Sequence, residues 1–258
     1  MVRWEAVAPS EEVHTADWIR ERLHGWAVDV GSVIPEGFAA YARIFHPAWR
    51  PHMIELRWSD VAAANGRTVH PQMQFHSIAT PAPGHRTLAV EWQGPRDGTM
   101  SPHQLQALIP LLAARTSTPG RCRLCFWEGY GHFTGAIASF TFRKEGGSPT
   151  PPPASTPHPK LPRGRVRLPG RDYLLFFGPI AAVGASGDPE LVAWDDDGPN
   201  LWWPDDRAWC VASEIDFPYT YVGGPAALVE AIVAHPGIEA LPATIHDRIT
   251  ADGDTVNT

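Results

Sequence analysis

The sequence predicts an α+β fold: a mainly antiparallel sheet, a few packing helices and one long Pro-rich surface loop. Three observations carry this. Segments with two-residue alternation follow one another across turn residues instead of alternating with helices, which suits hairpins better than parallel crossovers. Only four segments show helical spacing or caps. The 27 prolines among 258 residues are about twice the usual share, and they cluster where no periodicity is found. With hydrophobic residues at 43% and charged residues at 19%, the chain can bury a core and does not read as disordered.

Taken in order, "EEVHTADWIRERLHGW" places Val13, Trp18, Ile19, Arg22 and Leu23 near helical spacing after an acidic first turn, predicting a helix around 11–24. Phe38, Tyr41, Arg43 and Phe45 then interleave with small residues, predicting a strand over 39–45 closed by His46-Pro47. "RWSDVAAANGR" reads as a short helix, with Ser59 or Asp60 as cap and Gly66 as its end. Strands are expected in "HPQMQFHSIA" and, with Leu88, Val90 and Trp92 alternating, in "RTLAVEWQG". The strongest helix is "SPHQLQALIPLLAAR". Ser101 caps it, Pro102 opens it, and Leu105, Leu108, Leu111 and Leu112 form one stripe, while Pro110 costs a backbone bond. "RCRLCFWEGYG" and "AIASFTFRK" follow as two strands joined by a glycine-rich turn. After the Pro-rich stretch come "RDYLLFFGPIAAV", the strands around Leu201–Asp216, and "PYTYVGG". A helix over 225–234 follows, ended by His235-Pro236, and the tail "ADGDTVNT" is expected to fray.

Residues 146–168, rich in Pro, Ser and Gly, form a linker or long loop, extended where the prolines cluster. The second piece alone would be a small, strand-rich unit with little to cover its sheet. One composite domain over 1–258 is therefore expected, the alternative being two sub-domains, 1–145 and 169–258.

The net charge of −7 with no basic block argues against nucleic acid or an anionic membrane as partner. No run reaches the roughly 18 apolar residues of a membrane helix, and the N-terminus lacks a signal-peptide pattern. A soluble, cytoplasmic protein is expected. Cys122, Cys125 and Cys210 do not make a disulfide framework.

The spacing of the polar residues fits few familiar chemistries. The phosphate-loop pattern does not occur. "GYGHFTG" has its third glycine one position late for a dinucleotide loop, and "VGASGD" is not a nucleophile elbow. Cys122 and Cys125 lie three apart in a strand, so their thiols point to opposite faces and could chelate together only if a turn broke the strand there. The 12 histidines are scattered, without H-E-x-x-H spacing. "WDDDGPN" reads as a turn in preference to a calcium loop. No cofactor, no metal and no catalytic residue is expected.

One stretch stands out: "PNLWWPDDRAWCVASEID", Pro199 to Asp216. A strand beginning near Arg207 would put Arg207, Trp209, Val211, Ser213 and Ile215 on one face, and Ala208, Cys210, Ala212, Glu214 and Asp216 on the other. In the structural reading the tryptophans fill the core and Asp205 or Asp206 pairs with Arg207 or caps a turn. In the functional reading Asp205, Asp206, Arg207, Glu214 and Asp216 rim a pocket floored by Trp203, Trp209 and Trp127. Glu128 and Tyr130 of the neighbouring "WEGYG" complete this candidate set. Aromatic strands mostly build cores, so the structural reading leads.

Together, "WEGYG", "YLLFFGP", "LWWPDDRAWCVASEID", "YTYVGG" and "VIPEGFAAYARIFHPAW" resemble a family of bacterial proteins without an established activity. The resemblance spans most of the chain on both sides of the Pro-rich segment. The length of that insert and Cys125 depart from the pattern. A more distant likeness to SUKH-type immunity proteins, also acidic and α+β, is analogy at the level of the fold. The expected function is a non-enzymatic module that binds a protein partner, with an immunity or inhibitor type as its specific form. The alternative is a small-ligand protein or enzyme using the Trp/Asp/Arg set.

Overall fold

A computed structural model describes residues 2–25, 28–85, 92–134, 160–184 and 198–258. Its strands are β1 (Ala8–Pro9), β2 (Ala40–Phe45), β3 (Ala48–Arg50), β4 (Ile54–Leu56), β5 (Cys122–Trp127) and β6 (Val166–Leu168). They continue with β7 (Arg171–Gly178), β8 (Leu201–Pro204), β9 (Cys210–Ser213), β10 (Tyr219–Gly224) and β11 (Ala240–Ala243). The helices are α1 (Asp17–Arg20), α2 (Trp58–Ala64), α3 (Phe75–Ala79), α4 (Pro102–Ala113), α5 (Gly131–Thr134) and α6 (Ala226–Val233).

One nine-stranded sheet runs β1-β7-β5-β8-β9-β10-β2-β11, with β6 also on β7, and β3 and β4 form a separate ribbon. Every described strand pairing is antiparallel. The fold is therefore α+β with a mainly antiparallel sheet. Strands from both sides of residues 146–168 interleave, since β5 lies between β7 and β8, and β2 between β10 and β11.

Alternation splits the apolar residues into two cores, one on each face of the sheet. Leu124, Phe126, Trp202, Trp209, Val211 and Val222 face α4 and α6. Cys125, Trp203, Cys210, Ala212 and Tyr221 face the layer that holds Ile19, Trp58 and Ile78. Cys122 and Cys125 belong to different cores, as their spacing requires. Burial pushes the Cys122 thiol up to about 12 and raises that of Cys125, so neither is a ready thiolate.

Helix α4 follows its sequence signals. Ser101 and Gln104 form a capping box, and the helix continues through Pro110, with Leu105, Leu108 and Leu112 buried. Leu111 is only half-buried. Other expectations need correction. The helix around 11–24 is a 3-10 turn, Val13–Ala16, followed by α1. The His24 amide donates to the Gly31 carbonyl at 2.8 Å, pulling the chain out of helical register. Neither Ser59 nor Asp60 caps α2, which starts at Trp58. The carboxylate of Glu239 accepts from the amides of Trp58 (2.6 Å) and Ser59 (2.7 Å) across 180 residues. The strand expected in 70–79 is helix α3. Phe75 and Ile78 reach the core at helical spacing, and the Gln74 amide before it donates to Asp254 at 3.0 Å.

The C-terminal tail does not fray. Asp254 and Asn257 are buried, and the Asn257 side chain bonds the Thr68 backbone in both directions, at 2.8 and 3.0 Å. Strand β11 was not foreseen; it covers the edge of β2 with Pro242 in its middle, where an edge tolerates proline. Of the strand expected in 86–94, residues 86–91 lie outside the described residues, and Gln93 bridges Trp49. The strand expected in 136–144, the Asp195–Asp197 turn and most of the 146–168 segment also lie outside them.

Candidate functional site

The candidate residues sit at the two ends of the β8–β9 hairpin. Between these strands Pro204 to Ala208 makes a tight turn, closed by the Arg207 amide on the Pro204 carbonyl at 2.9 Å. Arg207 has φ +54°, a left-handed conformation uncommon outside glycine. The expected strand start at Arg207 is thus a turn, and the regular strand begins at Cys210. From Trp209 to Ala212 the alternation holds as read.

Trp203 and Trp209 do not share a floor. Trp203 lies in one core, 6.1 Å from Trp18 in an edge contact. Trp209 lies in the other, its indole N–H donating to the Leu112 carbonyl at 3.0 Å. Both are fully buried.

At the turn end, Asp205 accepts from Arg121 Nε at 2.7 Å and pairs with Arg123 Nε at 3.2 Å. Arg123 also reaches Glu12 at 2.9 Å. Asp206 receives Thr116 Oγ1 (2.8 Å), the Ser117 amide (2.7 Å) and Ser117 Oγ (2.8 Å), capping the turn after α4. Burial opposes its ionisation, but the bonds from Ser117, Thr116 and Ala208 outweigh it and hold the carboxyl below its ordinary value. The arginines lie on aromatic faces. Arg207 and Arg22 stand 5.4 and 5.7 Å from the Trp18 ring, and Arg123 and Arg121 stand 4.5 and 5.5 Å from Phe177. Arg123 is the cross-strand partner of both Phe177 and Trp203, so all three share one face.

At the other end, Trp127, Tyr130 and Asp216 gather around Asn200, Arg171 and Glu214. Asn200 accepts from the Trp127 amide at 2.8 Å and donates to the Tyr130 hydroxyl at 2.7 Å. Arg171 bridges Glu214 (2.7 Å) and Asp216, and lies 6.0 Å from the Trp127 ring. Burial raises the Glu214 carboxyl, with Arg171 opposing and Asp216 adding to the rise. Glu128 turns away to Arg165 at 2.6 Å. The recess beside Glu214, Asn200 and Tyr173 measures about 20 Å³, room for roughly one water.

The candidate set thus forms two clusters instead of one pocket. Arg22, Trp18, Arg121, Arg123 and Phe177 were missed, because their neighbours are set by strand register and by the fold-back of the N-terminal segment. A weak signal existed in Arg123 and Phe177, a charge and an aromatic inside strand patterns. Elsewhere His24, Asp29 and His246 bring three potential metal-ligating atoms within 4.8 Å of one another. Comparison with known protein families, curated proteins and solved structures finds no match. The resemblance drawn from the motifs therefore rests on those motifs alone. Among the described residues no helix is long and apolar enough to cross a membrane.

Proposed function

We propose that this chain is a cytoplasmic, non-enzymatic protein-binding module whose partner docks on the arginine–aromatic surface at the β8–β9 turn. One observation carries the reading: three exposed arginines, Arg22, Arg121 and Arg207, lie over the Trp18 and Phe177 rings at one end of the sheet, with the buried Arg123 packed on Phe177 beneath them. Arginine and aromatic residues are enriched in the energetic centres of interfaces. A stacked guanidinium is weakly hydrated and keeps donors for carboxylates and carbonyls of a partner. Glu12 and Asp205 hold Arg121 and Arg123 in place, which lowers the entropy lost on docking. The recess beside Glu214 has room for roughly one water, so that cluster offers no metabolite-sized cavity.

The test is affinity purification with wild type and an Arg22→Ala/Arg121→Ala/Arg207→Ala variant, followed by titration of the purified captured protein. All three side chains are exposed, so the variant is expected to fold. Loss of the partner in the variant supports the reading. Equal binding by both refutes it. If the partner is an enzyme, a fall in its activity on binding identifies the inhibitor form of this function.

A further inference from the structure

We infer that His24, Asp29 and His246 form a binding site for a divalent transition cation of the zinc type, with Glu36 as supporting carboxylate. It adjoins the surface proposed above, since the Arg22 carbonyl accepts from the Glu36 amide at 3.0 Å, but does not depend on it.

The site is built by zipping two distant segments together. The Val30 and Gly31 amides donate to the carbonyls of Asp247 and Ile245, each at 2.9 Å, and Asp29 bridges Arg248. Thr244 fixes the second segment through two bonds to Asp247, at 2.9 and 2.7 Å. The Asp29 backbone is fixed by Ser32, whose amide donates to the Asp29 carbonyl at 2.9 Å and whose Oγ accepts from the Asp29 amide at 3.2 Å. Gly31 is required for the approach of the His24 ring: a Cβ there would lie 2.3 Å from its Nδ1.

The donor atoms converge. His24 Nδ1 lies 2.9 Å from Asp29 Oδ1, His246 Nδ1 lies 3.8 Å from Asp29 Oδ2, and one ligand atom from each residue lies within 4.8 Å of the others. The imidazoles, 22° from parallel with centroids 5.6 Å apart, must tilt to aim both lone pairs at one ion, a movement open to the exposed His246. Ligands about 2.1 Å from a tetrahedral zinc stand roughly 3.4 Å apart. The first distance must open and the second close by about half an ångström. Two imidazoles and one carboxylate with an open fourth position is a ligand set that zinc and its neighbours accept. A second observation points the same way: Glu36 Oε2 stands 3.4 Å from His24 Nε2, the nitrogen facing away from Asp29. Metal-binding histidines are commonly held by a carboxylate on that far nitrogen. Binding replaces the proton shared by His24 Nδ1 and Asp29 with the cation and releases it to solvent. The fourth ligand is water, since His246 is 77% exposed.

Zn²⁺ titration of the full chain by calorimetry tests this, with Co²⁺ absorption as an independent readout. One saturable site is expected. His246→Ala, a change at an exposed side chain, should weaken it at least tenfold. Glu36→Gln should weaken it by roughly 10–100-fold without removing a ligand. His103→Ala, a change at an exposed side chain far in sequence from all three ligands, controls for adventitious binding by any of the 12 histidines and should leave the affinity unchanged. No saturable Zn²⁺ binding, or binding equally strong in His246→Ala, would overturn the inference.

Discussion

Replacing Asp254 by asparagine removes the charge that pins the C-terminal segment while keeping the side chain's size. The Asp254 side chain is fully buried. Its carboxylate accepts from the amides of Gln74 (3.0 Å) and Asn257 (2.9 Å), from Asn257 Nδ2 (3.0 Å) and from His70 Nε2 (2.8 Å). Burial alone would raise its pKa, but these donors lower it from 3.8 to about 2. At 1.36 kcal/mol per pH unit, the ionised carboxylate contributes about 2 kcal/mol. The folded value lies below the unfolded one. The contribution is therefore complete above about pH 4 and is lost as pH falls towards 2. An asparagine amide would turn a donor towards donors, so Asp254→Asn should lose about 2 kcal/mol at pH 7. For a chain of this size that lowers Tm by roughly 4–8 °C. Thermal and urea unfolding at pH 7, repeated at stepped pH values down to 3, should show the gap between variant and wild type narrowing below pH 4. Equal stability at pH 7, or a gap that keeps its size in acid, refutes the reasoning.

Other consequences are equally direct. Buried His46 donates through Nδ1 to the Arg96 carbonyl (2.7 Å) and accepts from Thr220 Oγ1 (2.8 Å), and burial lowers its pKa from 6.5 to about 4. Stability should therefore fall as pH drops from 6.5 to 4, by up to about 3 kcal/mol; His46→Gln should flatten that slope, seen as urea midpoints against pH. Glu239→Ala leaves the first amides of α2 without their carboxylate and should cost about 1–2 kcal/mol, with faster amide exchange at Trp58 and Ser59. Trp203→Ala should destabilise by about 3–5 kcal/mol. Arg207→Ala, by contrast, should stay within about 1 kcal/mol of wild type in the same unfolding assay.

What could be read from the sequence was what neighbours along the chain decide. Helix α4 carries its cap, its opening proline and its leucine stripe within fifteen residues. The alternation from Trp209 to Ala212 places each side chain in the correct core. The opposed faces of Cys122 and Cys125 follow from spacing alone. What could not be read depends on partners far away in sequence. Helix α2 is capped by Glu239, α3 is entered under Asp254, and the tail is ordered by Thr68, so local capping rules had nothing to act on. The candidate site shows the same division. Its residues were found, yet the turn at Arg207 parts Trp203 from Trp209, and the arginines that complete the surface arrive by register with β5 and by the fold of the N-terminal segment.

The most direct test of the proposed binding surface is the dissociation constant of the purified partner for wild type against Arg207→Ala, at matched salt and with folding verified. A stacked, exposed guanidinium at the centre of an interface predicts at least a tenfold loss of affinity, about 1.4 kcal/mol or more. An unchanged dissociation constant would contradict the account and remove the β8–β9 turn from the interface.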